Sequence, residues 1–425
     1  MNILYEKLFH FIWQFKLFRT DELTTVLKEP VRILSVGTLN NDAGPDFLNA
    51  RIQINETIWA GHVELHLNSS DWHKHQHQTD PAYNNTILHV VYHYSGIATT
   101  ANGIILPTLV LNDRINPDLF TRYEELMHAG TPLPCAHHLP LIKPITIQQQ
   151  LDRMITERLY DKTVRLEELL RRYNMNWNEA FYVFLSRSYG LHINQDAFQE
   201  LAQITPFTVL SKHRSDLIQL EALLFGQAGF LHTYFDSPYP QLLQREYEHL
   251  KYLHQLSSMP AGRWKFLRLR PANFPTIRIA QLAQLIFHHP RLLSLCIDST
   301  SIQELKQQLS KPPSDFWQTH YTLIETSKEK DKRPGESFLQ SLLINAFIPF
   351  LFLYGKHNAM EGLCERALQF LQELQFETNT QTQYFPRKFF PHQHAADSQA
   401  LIQLKRKYCD AKGCLECSIG YEILR

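Results

Sequence analysis

The sequence predicts an α+β fold: an N-terminal mixed β-sheet domain with a flanking helix, then a large all-α region ending in a cysteine-bearing tail. Three observations carry this expectation. Between residues 31 and 111, apolar and polar residues repeatedly alternate with the period of two that a half-buried strand requires. From about residue 143 the period becomes 3.6, the helical value, and holds through most of the remaining chain. The chain has 425 residues at 44% hydrophobic content, enough for more than one core.

Residues 1–29 read as helix, ending at Pro30. Leu4, Leu8, Phe11, Ile12 and Phe15 share one helical face. Glu6, Lys7, His10, Gln14 and Lys16 break the apolar run, so the segment is an amphipathic packing helix and not a targeting sequence. VRILSVGTL is a β-type run, and NNDAGP is a turn containing Gly44 and Pro45. DFLNARIQIN alternates, with Leu48, Ala50, Ile52 and Ile54 on one face. After a turn at Asn55-Glu56, TIWAGHVELHL alternates again: Trp59, Val63, Leu65 and Leu67 form the apolar set, and His62, Glu64 and His66 the polar one. NSSDWHKHQHQTDPAYNN is a polar link with room for a turn or two of helix, and TILHVVYHY and GIILPTLVL read as strands. These elements make residues 1–125 a β-rich domain and 126–142 a linker.

Helical segments fill 143–256. Residues 257–275, with Pro260, Pro271 and Pro275 and a basic run, read as a joint. Residues 276–425 form a second helical region with the tail. Gly226 and Gly229 mark close helix packing or a helix end. LLINAFIPFLFLYG reads as a buried helix that Pro349 should kink, with Asn345 hydrogen-bonded inside the core. No stretch approaches the uncharged apolar length of a membrane span. Six cysteines and no secretory leader suggest a soluble protein of a reducing compartment, the cytoplasm.

Charge narrows the choice of partners. Lys and Arg total 42, as do Asp and Glu, so the chain is not a basic protein that coats nucleic acid. Residues 1–125 hold nine Lys/Arg against fourteen Asp/Glu. Any phosphate clamp must therefore come from elsewhere, and the candidate is GRWKFLRLRP, residues 262–271. There Arg263, Lys265, Arg268 and Arg270 alternate with Trp264 and Phe266; the plainer reading is an amphipathic surface segment. No phosphate-cradling loop, nucleophile elbow or dinucleotide fingerprint occurs.

Seven of the 22 histidines fall between residues 62 and 93. Residues two apart on a strand share a face, so His62, Glu64 and His66 project together. Imidazole and carboxylate ligate zinc, manganese or iron, and carboxylate also suits magnesium. His73, His75, His77 and His89 are available to complete a coordination sphere once the chain turns back. The plainer reading is the solvated face of an amphipathic hairpin.

The strings NNDAGPDFLNARI, GHVELHLNSSDWHKHQHQTDPAYNNTILHVVYH, EALLFGQAGFL and YCDAKGCLECSIG resemble an uncharacterised bacterial family, domain of unknown function 2851, nearly end to end. That resemblance brings no chemistry. A second one does: Pro45-Asp46, a hairpin, then Glu64-x-His66 resembles the PD-(D/E)XK nuclease signature. The order of helix, three strands, link and strand is also similar to that restriction-endonuclease-like core. The resemblance implies that Asp46 and Glu64 hold a divalent metal, Mg or Mn, which activates a water, with His66 at the position of the assisting Lys. Histidine is not a permanent cation. Strict alternation from the Asn55-Glu56 turn puts Asp46 and Glu64 on opposite faces. The signature therefore requires Asp46 to precede the strand, or a bulge to intervene; Asp42 is the fallback partner.

Three functions stay open: a metal-dependent phosphodiesterase or nuclease acting on nucleic acid through Asp46, Glu64 and His66; a non-catalytic binding or scaffold protein with structural metal; and a metal enzyme on a small substrate using His62, Glu64 and His66.

Cys409, Cys414 and Cys417 bunch in a basic, glycine-containing tail, a pattern that suggests zinc or an iron–sulfur cluster. Three thiolates do not close such a site. Cys135, in TPLPCAHHLP, would supply the fourth ligand, as would His392 or His394; the plainer reading is free thiols. Cys296 and Cys364 lie in apolar helical contexts and read as packing residues.

Overall fold

The computed structural model describes residues 2–425, with side chains from Tyr5 onward. The chain divides into two units, residues 1–150 with 405–425, and Leu151–Leu404. The sequence expectation grouped the tail with the last helices, whereas Lys405–Arg425 belongs to the unit that holds the N-terminus.

The first unit opens with helix α1 (Asn2–Gln14). It buries Leu8, Phe9, Phe11, Ile12 and Trp13, while Phe15 is exposed. The helix stops far short of the expected Pro30. The Leu17 and Lys16 amides fold back onto the carbonyls of Ile12 and Trp13, and Lys16 takes a left-handed conformation (φ 51°). Thr24, Thr25 and Val26 follow, β-branched residues that resist continued helix. Here they bridge to the sheet through Thr25 opposite Leu109.

Six strands form the sheet: β1 (Val31–Ser35), β2 (Thr38–Leu39), β3 (Phe47–Ile54), β4 (Thr57–Asn68), β5 (Thr86–His93) and β6 (Thr108–Val110). Their order is β1-β3-β4-β5-β6, with β2 paired to β3 off that path. The β1·β3 and β3·β4 pairs are antiparallel, and β4·β5 and β5·β6 are parallel. The β3–β4 hairpin turns at Asn55 and Glu56, as expected, with Asn55 at φ 55°. Alternation fails at one place. A register shift lies between Phe47 and Ala50, and Asn49 sits at φ 58°. The inner face therefore runs Phe47, Ala50, Ile52, Ile54, all buried, and Leu48 is only half-buried.

A second departure concerns β4. Its first four residues, Trp59 among them, are exposed, whereas Val63, Glu64, Leu65 and His66 are all buried. The exposed half pairs antiparallel with β3; the buried half pairs parallel with β5, and parallel strands are covered on both faces. The link after β4 carries one helical turn, α2 (Asp71–Lys74), and two 3₁₀ turns at His77–Thr79 and Pro81–Tyr83. Trp72, Tyr83, Ala98 and Leu106 pack together beneath it. Helix α3 (Pro117–His128) starts on Asn116, whose side chain accepts from the Asp118 amide ahead of a proline at the first turn.

The second unit is built mainly of helices. Helix α4 (Pro144–Arg172) carries the chain into it, and α5 (Trp177–Tyr189), α6 (Gln195–Ile204), α7 (Phe207–Lys212), α8 (Leu217–Gln227), α9 (Pro238–His254) and α10 (Pro275–His288) follow. Gly226 lets α8 meet α9: a Cβ there would lie 2.2 Å from the Tyr247 ring. Gly229 ends the turn at φ 77°. Gln227 lies between the Tyr247 hydroxyl at 2.8 Å and the carbonyls of Ser257 and Ile204, a structural role.

The apolar segment 336–357 passes the length and hydropathy test for a membrane span, contrary to the sequence expectation, but 78% of its apolar window is buried inside the protein. Pro349 is accommodated by a π turn at Leu343–Phe347, which absorbs the lost backbone hydrogen bond. Asn345 is exposed on that turn, where it bonds the Ser341 carbonyl, and is not in the core as expected. Cys296 is buried and bonds the Phe347 carbonyl; Cys364 bonds that of Phe352.

Candidate metal centre

The bulge at Leu48–Asn49 decides the site. Asp46 lies just before β3, in the bend that Gly44 and Pro45 create, and reaches the Glu64 side of β4. Its main-chain amide donates to Glu64 Oε2 at 3.0 Å, and its own Oδ2 accepts from the Leu65 amide at 2.9 Å. His10, one turn before the end of α1, brings Nε2 within 3.2 Å of Asp46 Oδ2. Glu64 is 4% exposed and His66 1%, so neither belongs to a solvated face.

Three imidazoles converge beside Glu64. The ligating atoms of His66, His75 and His77 all lie within 4.8 Å of one another. His77 Nε2 is 3.3 Å and His66 Nε2 3.6 Å from Glu64 Oε1, and His75 Nδ1 is 3.2 Å from His66 Nε2. The strand supplies Glu64 and His66 two residues apart, and the link after it returns His75 and His77. The short turns there hold His77 flat on Tyr83 (centroids 3.9 Å apart) and edge-on to Trp72. His66 Nδ1 lies 2.9 Å from Nε2 of His89, the residue directly across β5 from Glu64. Such a partner fixes the orientation and tautomer of a ligating imidazole and leaves Nε2 free to coordinate. His75 is exposed, so the group opens to solvent on one side.

The electrostatics suit a cation. Burial first, then the neighbouring histidines, pushes His66 down to about 2, and burial takes His89 to about 3. Both are therefore neutral and able to coordinate at physiological pH. Burial, then the charge of Asp46, raises Glu64 well above the usual carboxylate range. Burial opposes protonation of His10, but its contact with Asp46 outweighs that, and its pKa lies above the ordinary histidine value. The His77 Nε2 and His89 Nδ1 atoms are buried without an aligned hydrogen-bond partner. Three imidazoles, with the Glu64 carboxylate beside two of them, fit zinc, manganese or iron better than magnesium, which prefers oxygen alone.

Of the residues singled out from the sequence, Asp46, Glu64 and His66 come together. His62 takes a different position: its Nδ1 accepts from the Asn49 amide at 3.3 Å, because the strand is irregular between His62 and Val63. His73 bonds the Ile97 carbonyl. Asp42 is exposed in the turn, its amide held by Asn40. His10 was not foreseen; its only sequence signal was a histidine interrupting an amphipathic helix. In the second unit, His392 bonds the Phe390 carbonyl and His394 caps the helix at Ala395–Gln403. In the 262–271 run Trp264 is buried and donates to the Ala228 carbonyl at 2.9 Å, and Arg263, Lys265, Arg268 and Arg270 are exposed.

The fold and this group define a mixed α/β protein with a buried histidine–carboxylate centre in its sheet-containing unit. The chain belongs to the family described as Protein of unknown function (DUF2851), whose model matches residues 6–380. Comparisons with curated proteins and with solved structures found no match.

Proposed function

We propose that the chain is a metal-dependent hydrolase of phosphodiesters, with Glu64, His66, His75 and His77 holding the ion and Asp46 and His10 beside it. The observation that carries this is the approach of Asp46 to Glu64 next to three imidazoles, two buried and one exposed. Strand order supports the nuclease-like version: in β1-β3-β4-β5-β6 only β3 runs against its neighbours, α1 precedes the sheet, and Asp46 and Glu64 meet at the hairpin base. A bound divalent ion would supply Lewis acidity and a water acidic enough to attack at neutral pH. The protein's own part is to keep His66 neutral and oriented through His89, to hold Glu64 by the Asp46 amide, and to set the Asp46–His10 pair where a proton can be accepted. Within the first unit, residues 1–125 carry nine Lys/Arg against fourteen Asp/Glu, which weighs against tight phosphate binding there; in the second unit, the exposed Arg263, Lys265, Arg268 and Arg270 are a separate candidate for phosphate contact.

The participation of His75 and His77, with the acidic balance of the first domain, favours a second reading: hydrolysis of a small substrate. One experiment separates the two. Protein loaded with zinc or manganese is assayed on single- and double-stranded oligonucleotides and on a chromogenic phosphodiester, beside Glu64→Ala. Cleavage of oligonucleotides that Glu64→Ala abolishes supports the nuclease reading. Turnover of the small diester alone supports the second, and no metal-dependent hydrolysis of either removes both.

A further inference from the structure

We propose that Cys135, Cys409, Cys414 and Cys417 form a second, structural metal centre in the first unit, in which four thiolates hold a thiophilic ion and fasten the C-terminal segment to residues 122–150. The inference is independent of the histidine centre and rests on where the tail docks.

All four cysteines are free and buried, each 8–9% exposed. Cys135 lies in a tight turn, its carbonyl accepting from the His138 amide. Cys414 and Cys417 bracket one 3₁₀ turn, with the Cys417 amide bonded to the Cys414 carbonyl at 3.3 Å. The two thiols three residues apart are thus held on a single turn, the arrangement by which short loops present two thiolates to one ion. Gly420 presses this turn so closely that a Cβ would stand 2.0 Å from the Cys414 carbonyl oxygen. The tail then straddles the stretch around Cys135. Lys412 Nζ bonds the Ala129 carbonyl, Arg122 bonds that of Ile423, the Glu422 carboxylate accepts from the Lys143 amide, and Gln150 accepts from the Ser418 amide.

The four sulfurs interact electrostatically across this junction. Cys135 feels Cys414 and Cys417, and Cys409 feels all three others. Like-charged thiolates gathered out of water repel one another, and an ion that displaces their protons removes the repulsion. Lys405 and Lys412 act on Cys409 and Cys414 and would offset the residual negative charge. The apolar anchor of the tail is thin: Ile419, Ile423 and Leu424 are buried, and Tyr421 packs on Phe11 and Phe15. Closing a loop between residue 135 and residues beyond 400 adds cohesion to these contacts.

The test uses the full chain. Metal per chain and acid-labile sulfide are measured on protein purified under reducing conditions without added chelator, for the wild type, His66→Ala/His77→Ala and Cys414→Ser. Cobalt exchange reports thiolate ligation through its ligand-to-metal charge-transfer band, which imidazole does not give. One equivalent of zinc, or iron with matching sulfide, retained in the histidine variant and lost in Cys414→Ser supports the centre, and sulfide tells the two metals apart. Should Cys414→Ser fail to fold, metal release from the native wild type decides alone: one ion freed as a mercurial titrates four thiols supports the centre. A wild-type chain with no thiolate-bound metal, or with these cysteines joined as disulfides, overturns it.

Discussion

Asp46 and Glu64 are tied by a hydrogen bond of 3.0 Å from the main-chain amide of the first to Oε2 of the second, and Asp46 returns its own carboxylate to the amide of Leu65, the residue after Glu64. The two acidic residues thus lock the base of the β3–β4 hairpin from both sides. Asp46→Ala leaves the Leu65 amide without its acceptor, and we expect a loss of about 1–3 kcal/mol. Asp46→Asn keeps an oxygen acceptor at the same place and should cost under about 1 kcal/mol. Urea unfolding of the three proteins checks this; equal stability of Asn and Ala variants would show that the Leu65 contact contributes nothing.

The second expectation concerns which histidines bind metal. Glu64→Ala and His77→Ala should each weaken zinc binding at the histidine centre by about 10-fold or more, and His89→Ala by about 10- to 100-fold through loss of orientation of His66. His62→Ala should leave it unchanged, because His62 is engaged with the Asn49 amide. Zinc competition against cobalt on the otherwise wild-type chain, read by d–d absorption that lacks the thiolate charge-transfer band, isolates the histidine centre. Metal affinity insensitive to Glu64 and His77 would remove the centre.

Asn49 is the third. Its left-handed φ of 58° makes the bulge that puts Phe47 inside and brings Asp46 to Glu64. Asparagine and glycine tolerate that conformation, and a β-branched residue pays about 1–2 kcal/mol. Asn49→Val should lower stability by that amount and reduce metal binding with it, while Asn49→Gly should change both little. Thermal melts with and without zinc give the comparison, and a fully stable Asn49→Val with normal metal affinity would sever the bulge from the site.

The fourth concerns pH and the second unit. Glu221 is fully buried, contacted by the Tyr239 hydroxyl and bonded by Ser314 Oγ at 3.0 Å. Burial raises its pKa to about 8. The folded protein therefore holds a proton that the unfolded chain releases near the ordinary value of 4.5. Its contribution is complete below that value and is lost as pH rises through about 8. The slope from this one group approaches about 1.4 kcal/mol per pH unit between the two values. Glu221→Gln, neutral at every pH, should flatten that decline. Denaturation at pH 5, 6.5 and 8 tests it, and a wild-type slope unchanged in Glu221→Gln would assign the decline to other groups.

Much of this was legible in the residues because it depends on local pattern. The switch from a period of two to one of 3.6 places the sheet and the helices, since each period follows from backbone geometry alone. The density of histidine after residue 62 marks the site, and Asn55-Glu56 marks the hairpin turn. What tertiary structure decided is pairing and coverage. Alternation by itself puts Asp46 and Glu64 on opposite faces; one left-handed asparagine reverses that, and nothing in the alternation signals it. Polar residues on a strand look solvated until a parallel neighbour covers them, as β5 covers Glu64 and His66. His10 joins the site from a helix over thirty residues before Asp46, and the tail joins the first unit from the far end of the chain. These are contacts between segments distant in sequence, set by packing and by charge seeking a partner out of water, and local periodicity carries no record of them.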